Sequence, residues 1–176
     1  MKKKVIGILA VVAAALLFLS SIVITRENEY SLIRRFGKVD RIIGEAGITF
    51  KIPFMETADK LPGQLLLYDL PESDVITMDK KTMIADSYVL WRISDPLKYA
   101  QTLNSSKESA EQRIDAAVYN STKNIISNMT QSDVIAARDG ELQAAVMEGV
   151  GAAMDSYGIE LKTVEIKQLD LPEDNK

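Results

Sequence analysis

The chain opens on an apolar run and then changes its hydrophobic period twice. Residues 5–24 read VIGILAVVAAALLFLSSIVI, with no charge, no proline and one glycine, Gly7. Twenty residues at ~1.5 Å rise cover ~30 Å, about one bilayer core. Lipid leaves backbone groups no external partner, so such a run must be helical there. The pattern predicts a transmembrane helix over residues 5–24, with Val5, Ile6, Leu9, Val12, Leu16, Phe18, Ile22 and Ile24 among its membrane-spanning residues. Lys2-Lys3-Lys4 precede it, whereas the far flank, Arg26-Glu27-Asn28-Glu29, is near neutral. The positive-inside rule then keeps residues 1–4 cytoplasmic and puts the main body, from residue 25, outside the cytoplasm. A cleavable signal would have a shorter apolar core ending in small residues, but this one ends in Ile22-Val23-Ile24. A buried helix of a soluble core would show a polar face.

Beyond the run the period is two. Tyr30, Leu32, Arg34 and Phe36 alternate with Ser31, Ile33 and Arg35, a strand that Gly37 breaks. A short run over 39–43 ends at Gly44-Glu45-Ala46-Gly47. Ile48, Phe50 and Ile52 alternate with Thr49 and Lys51 until Pro53, which cannot donate to a ladder. Residues 65–70 make another strand candidate. Residues 74–78 and 83–94 read as a hairpin around Asp79-Lys80-Lys81-Thr82, with Ser87, Val89, Trp91 and Ile93 on one face. Short joining loops make these strands antiparallel.

After Asp95-Pro96 the period becomes helical. Residues 96–103 predict a short helix and 107–129 a long one, with Ala110, Ile114, Val118, Ser121, Ile125 and Met129 along one face. Thr130 and Asp133 are spaced as a capping box for a helix over 133–138. Asp139 can cap the next helix, 140–157, whose apolar stripe is Leu142, Ala145, Val146, Gly149, Val150, Ala153, Met154 and Tyr157. Gly158 stands where a left-handed residue ends a helix. A final strand, 159–171, slips its apolar phase between Leu161 and Val164, as a bulge would, and Pro172 closes it. The expected fold is α+β: an N-terminal transmembrane helix, an antiparallel strand-rich subdomain over 25–95, and a mixed subdomain over 96–172 in which helices pack on a sheet with a final strand.

Composition narrows the chemistry. With no histidine and no cysteine among 176 residues, Ser-His-Asp, Cys-His and HExxH catalysis and cysteine zinc sites are excluded. Basic residues number 21 against 25 acidic, and three of the basic ones precede the apolar run, so the body is acidic. That argues against nucleic acid and against an electrostatic grip on anionic lipid. Asp69, Glu72, Asp74 and Asp79 lack metal-loop spacing, and no nucleophile elbow or SxxK motif appears. The reading is a non-enzyme without metal or cofactor.

Individual positions carry further expectations. Gly44 and Gly47 read as turn residues. Trp91 reads as core, its indole N–H needing an acceptor, and Arg92 is placed to pair with Asp86 or Asp95. Ile52, Pro53, Phe54 and Met55 are either a buried strand end or a loop that touches lipid beside the anchor. The stripe from Leu142 to Tyr157 reads as internal core.

The segments Arg35-Phe36-Gly37-Lys38-Val39, Gly47-Ile48-Thr49-Phe50-Lys51-Ile52-Pro53-Phe54-Met55-Glu56-Thr57, Asp86-Ser87-Tyr88-Val89-Leu90-Trp91-Arg92-Ile93-Ser94-Asp95 and Ile166-Lys167-Gln168-Leu169-Asp170-Leu171-Pro172 together resemble the SPFH, or band-seven, family of stomatins, prohibitins and flotillins, and within it the HflC-like branch. The resemblance spans nearly the whole chain. It implies a membrane-anchored scaffold that forms a large homo- or hetero-oligomer with an HflK-like SPFH partner and modulates an FtsH-like membrane AAA+ protease. It also implies a long helix after residues 173–176, so that this tail reads either as a truncation point or as the end of a short form. The alternative is a single-pass extracytoplasmic domain that binds a small ligand.

Overall fold

A computed structural model describes residues 2–137 and 140–170. The expected Asp139 cap and the Leu171–Lys176 tail lie outside the described residues. The chain divides into two compact units between Gln64 and Leu65.

The first unit opens with α1 (Lys2–Ser20), followed by β1 (Ile22–Thr25), β2 (Glu29–Arg35), β3 (Lys38–Ile43), β4 (Gly47–Phe50) and β5 (Glu56–Pro62). The expected helix over 5–24 ends four residues early, and Ile22 and Ile24 belong to a strand. The physical cause is local. Ser20 and Ser21 both donate their hydroxyls to the Leu17 carbonyl at 2.9 Å, and the Ser21 N–H turns back to the Phe18 carbonyl at 3.1 Å. Ile22–Thr25 are then free to pair antiparallel with β4. Among the described residues no helix is long and apolar enough to cross a membrane. The remaining strands form an antiparallel sheet ordered β3-β2-β5. β5 was not foreseen: Glu56-Thr57-Ala58-Asp59-Lys60 shows no apolar alternation, and it is a strand because seven of its residues pair in register with β2.

The second unit contains β6 (Leu66–Asp69), β7 (Ser73–Ile76), β8 (Thr82–Ile93), α2 (Pro96–Thr102), α3 (Lys107–Ile126), α4 (Gln131–Ala136), α5 (Glu141–Asp155) and β9 (Ile159–Asp170). β8 is the centre. Its first half pairs with β7 and its second half with β6, and β9 pairs with it from Ile84 to Ile93. This pairing moves the division of the chain some thirty residues before the boundary expected near Pro96: the long strand belongs with the helices and the last strand. Alternate residues of β8 are buried, from Met83 through Ala85, Ser87, Val89 and Trp91 to Ile93. Trp91 is core as expected and stacks on Tyr99 with ring centroids 6.4 Å apart. Its indole Nε1 is buried without an acceptor among the described atoms.

The helices follow their stripes with small shifts. α3 stops at Ile126 rather than near Met129, and it buries Ala110, Ile114, Val118, Thr122 and Ile126. A run at i+4 thus takes in Thr122 and Ile126 where Ser121 and Ile125 were expected. α4 begins with the Thr130–Asp133 capping box in full. α5 buries Leu142, Val146, Val150 and Met154. At Gly149 an added Cβ would sit 2.6 Å from the Ser121 Oγ, so the missing side chain is what lets α3 and α5 approach. Gly158 has φ +71°, and a Cβ there would meet the Asp95 carbonyl oxygen at 2.3 Å. The Gly158 carbonyl accepts the N–H groups of Ser94 and Asp95, tying the end of β8 to the start of β9. The phase slip in β9 is a bulge: Leu90 pairs with Thr163 and Trp91 with Leu161, skipping Lys162. A second skip, at Lys167, lets its Nζ reach both Asp69 and Asp86, at 2.6 and 2.7 Å. Arg92 does not pair with Asp86 or Asp95. Its register partner is Glu160, and its Nε meets that carboxylate at 2.6 Å, while Asp95 caps α2 by accepting from Leu97 and Lys98.

Candidate functional site

Among the described residues no group of histidine, cysteine, aspartate or glutamate is placed to hold a metal ion. Buried polar residues of the second unit are Thr77, Ser87 and Thr122 among those described. Asp115 lines a cavity of about 10 Å³ with Ser73, Ser87, Tyr119 and Thr122, and burial raises its carboxyl above the ordinary aspartate range. Most of the exposed large apolar side chains among the described residues are in the first unit, although Leu67, Ile76, Met78 and Ile135 of the second are exposed as well.

α1 is apolar on every side. Val5, Ile6, Ile8, Leu9, Val11, Val12, Leu16, Phe18 and Leu19 are all exposed. A water-soluble helix keeps a polar face for solvent. The apolar surface continues past the helix end. Ile22 pairs opposite Phe50 and Ile24 opposite Ile48, and directly opposed residues share one face of a ladder. On that face Ile24, Ile48 and Phe50 are exposed, while Val23 and Thr25 on the other are buried. Phe18, in the last turn of α1, meets Phe50 with centroids 6.0 Å apart. Helix and ribbon therefore present one connected apolar surface.

Residues 51–55 extend it. They form an exposed loop, which removes the reading of Ile52–Met55 as a buried strand end. Ile52 and Met55 are largely exposed, and Phe54 is 96% exposed with φ +66°. A left-handed backbone costs a bulky L-residue on the order of 1–2 kcal/mol, so a surrounding structure must impose it. Glu56 does this. Its carboxylate is fully buried, and it accepts from the Ile52 N–H at 2.9 Å and from Arg35 Nη2 at 2.7 Å. Arg41 adds a contact of 3.1 Å to the same carboxylate and donates to the Phe50 carbonyl at 2.7 Å. The Glu56 N–H in turn donates to the Ile52 carbonyl at 3.0 Å. One carboxylate thus closes the loop at both ends. The Ile52 amide, then Arg35, then Arg41 hold the Glu56 carboxyl below the ordinary glutamate range.

The reading of the sequence picked out the loop and the apolar run, but it put Phe36 in a strand that in fact ends at Arg35 and gave Arg35, Phe36, Arg41 and Glu56 no part in a site. Phe36-Gly37 is the two-residue turn between β2 and β3, with φ +51° and +82°, the left-handed pair of a type I′ hairpin. Phe36 is 81% exposed. The Phe-Gly pair between alternating runs was the available signal. For Glu56 there was none, because its role depends on two arginines distant in the chain.

Residues 23–176 match the SPFH domain / Band 7 family. The chain is 28% identical over 184 residues to the protein HflC of Haemophilus influenzae, covering 99% of this chain and 62% of that one. It is 30% identical over 159 residues to the Modulator of FtsH protease HflC of Escherichia coli, covering 86% of this chain and 47% of that one. An uncharacterized protein of Archaeoglobus fulgidus is 29% identical over 96% of this chain and 65% of its own length. The chain thus spans about half to two thirds of the length of these curated relatives. With α1 leading into a strand-rich unit and a helix-covered sheet, and with the match running from β1 onward, the chain belongs to the SPFH domain / Band 7 family.

Proposed function

We propose that this chain is a membrane-anchored SPFH scaffold of a bacterial cell membrane that oligomerises with an HflK-like partner and modulates an FtsH-like membrane AAA+ protease. The observation that carries the reading is its similarity, over 86% of its length, to a protein named as a modulator of FtsH protease. The absence of histidine and cysteine supports a role in assembly rather than bond cleavage.

The anchor is α1. A helix apolar on all sides has lipid as its natural solvent. Val5, Ile6, Leu9, Val12, Leu16 and Phe18 lie in the hydrocarbon, and residues 1–4 stay cytoplasmic by the positive-inside rule. Residues 5–20 cover only ~24 Å at ~1.5 Å per residue, a shortfall that local thinning of the bilayer accommodates. Ile22 and Ile24, in β1, belong to the outer interface rather than the span, and the main body is extracytoplasmic. Ile52, Phe54 and Met55 touch the outer leaflet.

The test uses the full chain in its own membranes. It should resist carbonate extraction, run as a large particle in mild detergent and co-purify with an FtsH-like protease and an HflK-like protein. A monomer that releases into the soluble fraction and brings down neither partner would overturn the proposal.

A further inference from the structure

We infer that the tip of the β2–β3 hairpin is a second membrane-seated finger, with Phe36 entering the bilayer interface alongside Phe54. This rests on the reading of Ile52–Met55 as lipid-contacting and adds a separate segment, distant in sequence, to the same surface.

Register places the two together. Arg35 is the last paired residue of β2 and faces Lys38 of β3 on one side and Glu56 of β5 on the other. Phe36 follows Arg35 directly, and Met55 and Phe54 precede Glu56 directly. Neighbouring strands lie ~4.8 Å apart, so hairpin tip and loop project from the same end of the sheet. Both phenylalanines hold positive φ, +51° and +66°, and both are among the most exposed large side chains of the described chain, at 81% and 96%. A bulky residue in this conformation is uncommon. Two at one end of one sheet mark a surface whose aromatic side chains are held outward against both backbone preference and the hydrophobic effect.

The same Glu56 carboxylate locks both. Through Arg35 it grips the last rung before Phe36, and through the Ile52 amide it grips the loop that carries Phe54. The two tips are therefore preset as one rigid end. Their occupant is lipid because the surface is continuous with α1. Phe18 contacts Phe50, Lys51 donates its N–H to the Ser21 carbonyl, and the loop begins there. A sheet end joined so closely to an apolar helix comes to the interface that the helix enters. Lys38, two residues from Phe36, is exposed, and Lys51 is two residues from Pro53. An aromatic ring with a nearby lysine suits the headgroup boundary, where the ring sits among acyl chains and the ammonium reaches phosphate.

The test is depth-dependent quenching in the full chain, reconstituted into phosphatidylcholine–phosphatidylglycerol vesicles. F36W and F54W are made separately. Trp91 is fully buried, so its emission is a constant background that the unsubstituted chain supplies for subtraction. Both new tryptophans should shift to the blue on reconstitution, and bromines placed near the headgroup should quench them more than bromines at the chain ends. F36W emission that stays water-like while F54W is quenched would overturn the second finger and leave the loop reading standing. If both stay water-like, the loop reading fails as well. A blue shift in F36W without quenching, growing with protein-to-lipid ratio, would assign Phe36 to a protein contact and also overturn the proposal. Should F36W lose its cooperative melt, F36C carrying an environment-sensitive dye gives the same readout, because the chain has no other cysteine.

Discussion

The two units solve the problem of burial in opposite ways. The second stacks Val89, Trp91, Ile93, Tyr99, Ile114, Val146, Val150 and Ile159 between helices and a sheet, while its Arg92–Glu160 and Lys167–Asp69 ion pairs are partly exposed. The first buries few hydrophobic residues among those described, namely Val23, Leu32, Ile33 and Leu61, and puts a carboxylate inside while its phenylalanines face out. The difference shows which unit leaves most of its apolar side chains uncovered. The first unit exposes them and closes itself with buried charge, and the proposed lipid contact rests on that feature. The second covers a larger apolar layer, although Leu67, Ile76, Met78 and Ile135 stay exposed.

The comparison can be broken first in the second unit. Gly158→Ala adds a methyl 2.3 Å from the Asp95 carbonyl oxygen at a φ of +71°. Backbone strain and overlap together should cost about 3 kcal/mol or more, seen as a large fall in melting temperature. A small fall would show that the junction of β8 and β9 gives way easily.

Next comes the buried carboxylate of the first unit. Glu56→Gln leaves Arg35 and Arg41 facing a neutral amide. Amide exchange at Ile52 and Phe54 should accelerate markedly, while exchange in β8 stays as it was. The pH dependence follows in sign. The folded Glu56 carboxyl titrates below its unfolded value, so its contribution is complete above the ordinary glutamate range and is lost as pH falls through the depressed folded value. Acid should loosen residues 51–56 in the native chain, and Glu56→Gln should abolish that step. If the loop is equally ordered in both proteins at neutral pH, the clamp is not what holds it.

A milder perturbation probes the helix contact. Gly149→Ala sets a Cβ 2.6 Å from the Ser121 Oγ and should cost about 1 kcal/mol of stability. Adding Ser121→Ala removes the obstructing atom and should restore most of the loss in a thermal-melt double-mutant cycle. Phe54→Gly should have the smallest effect, within about 0.5 kcal/mol of the native melt. Relief of left-handed strain offsets the added freedom of the unfolded chain. A clear loss of stability would mean that the Phe54 side chain does pack on the fold.

Much of the second unit was readable in advance because its signals are local. Period-two alternation located β8, apolar stripes located α3 and α5, Thr130 and Asp133 located a cap, and the slip between Leu161 and Val164 located a bulge. The helix end after α1 was misjudged because isoleucine and valine serve lipid and strand alike, and only the presence of β4 decides between them. β5 was missed because Glu56-Thr57-Ala58-Asp59-Lys60 carries no apolar signal, its strand being imposed by β2.

The chain by itself determined its class, since alternation, stripes and the greasy N-terminal run are properties of neighbours a few residues apart. It also determined what chemistry is out of reach, since absent side chains cannot be supplied by folding. The tertiary structure alone decided that Arg35, Arg41 and Glu56 meet, that one buried carboxylate sets the hairpin tip and the loop together, and that the chain divides at Gln64. Those outcomes depend on pairing between residues distant in sequence, and the free energy of such pairing is absent from any window short enough to show a period.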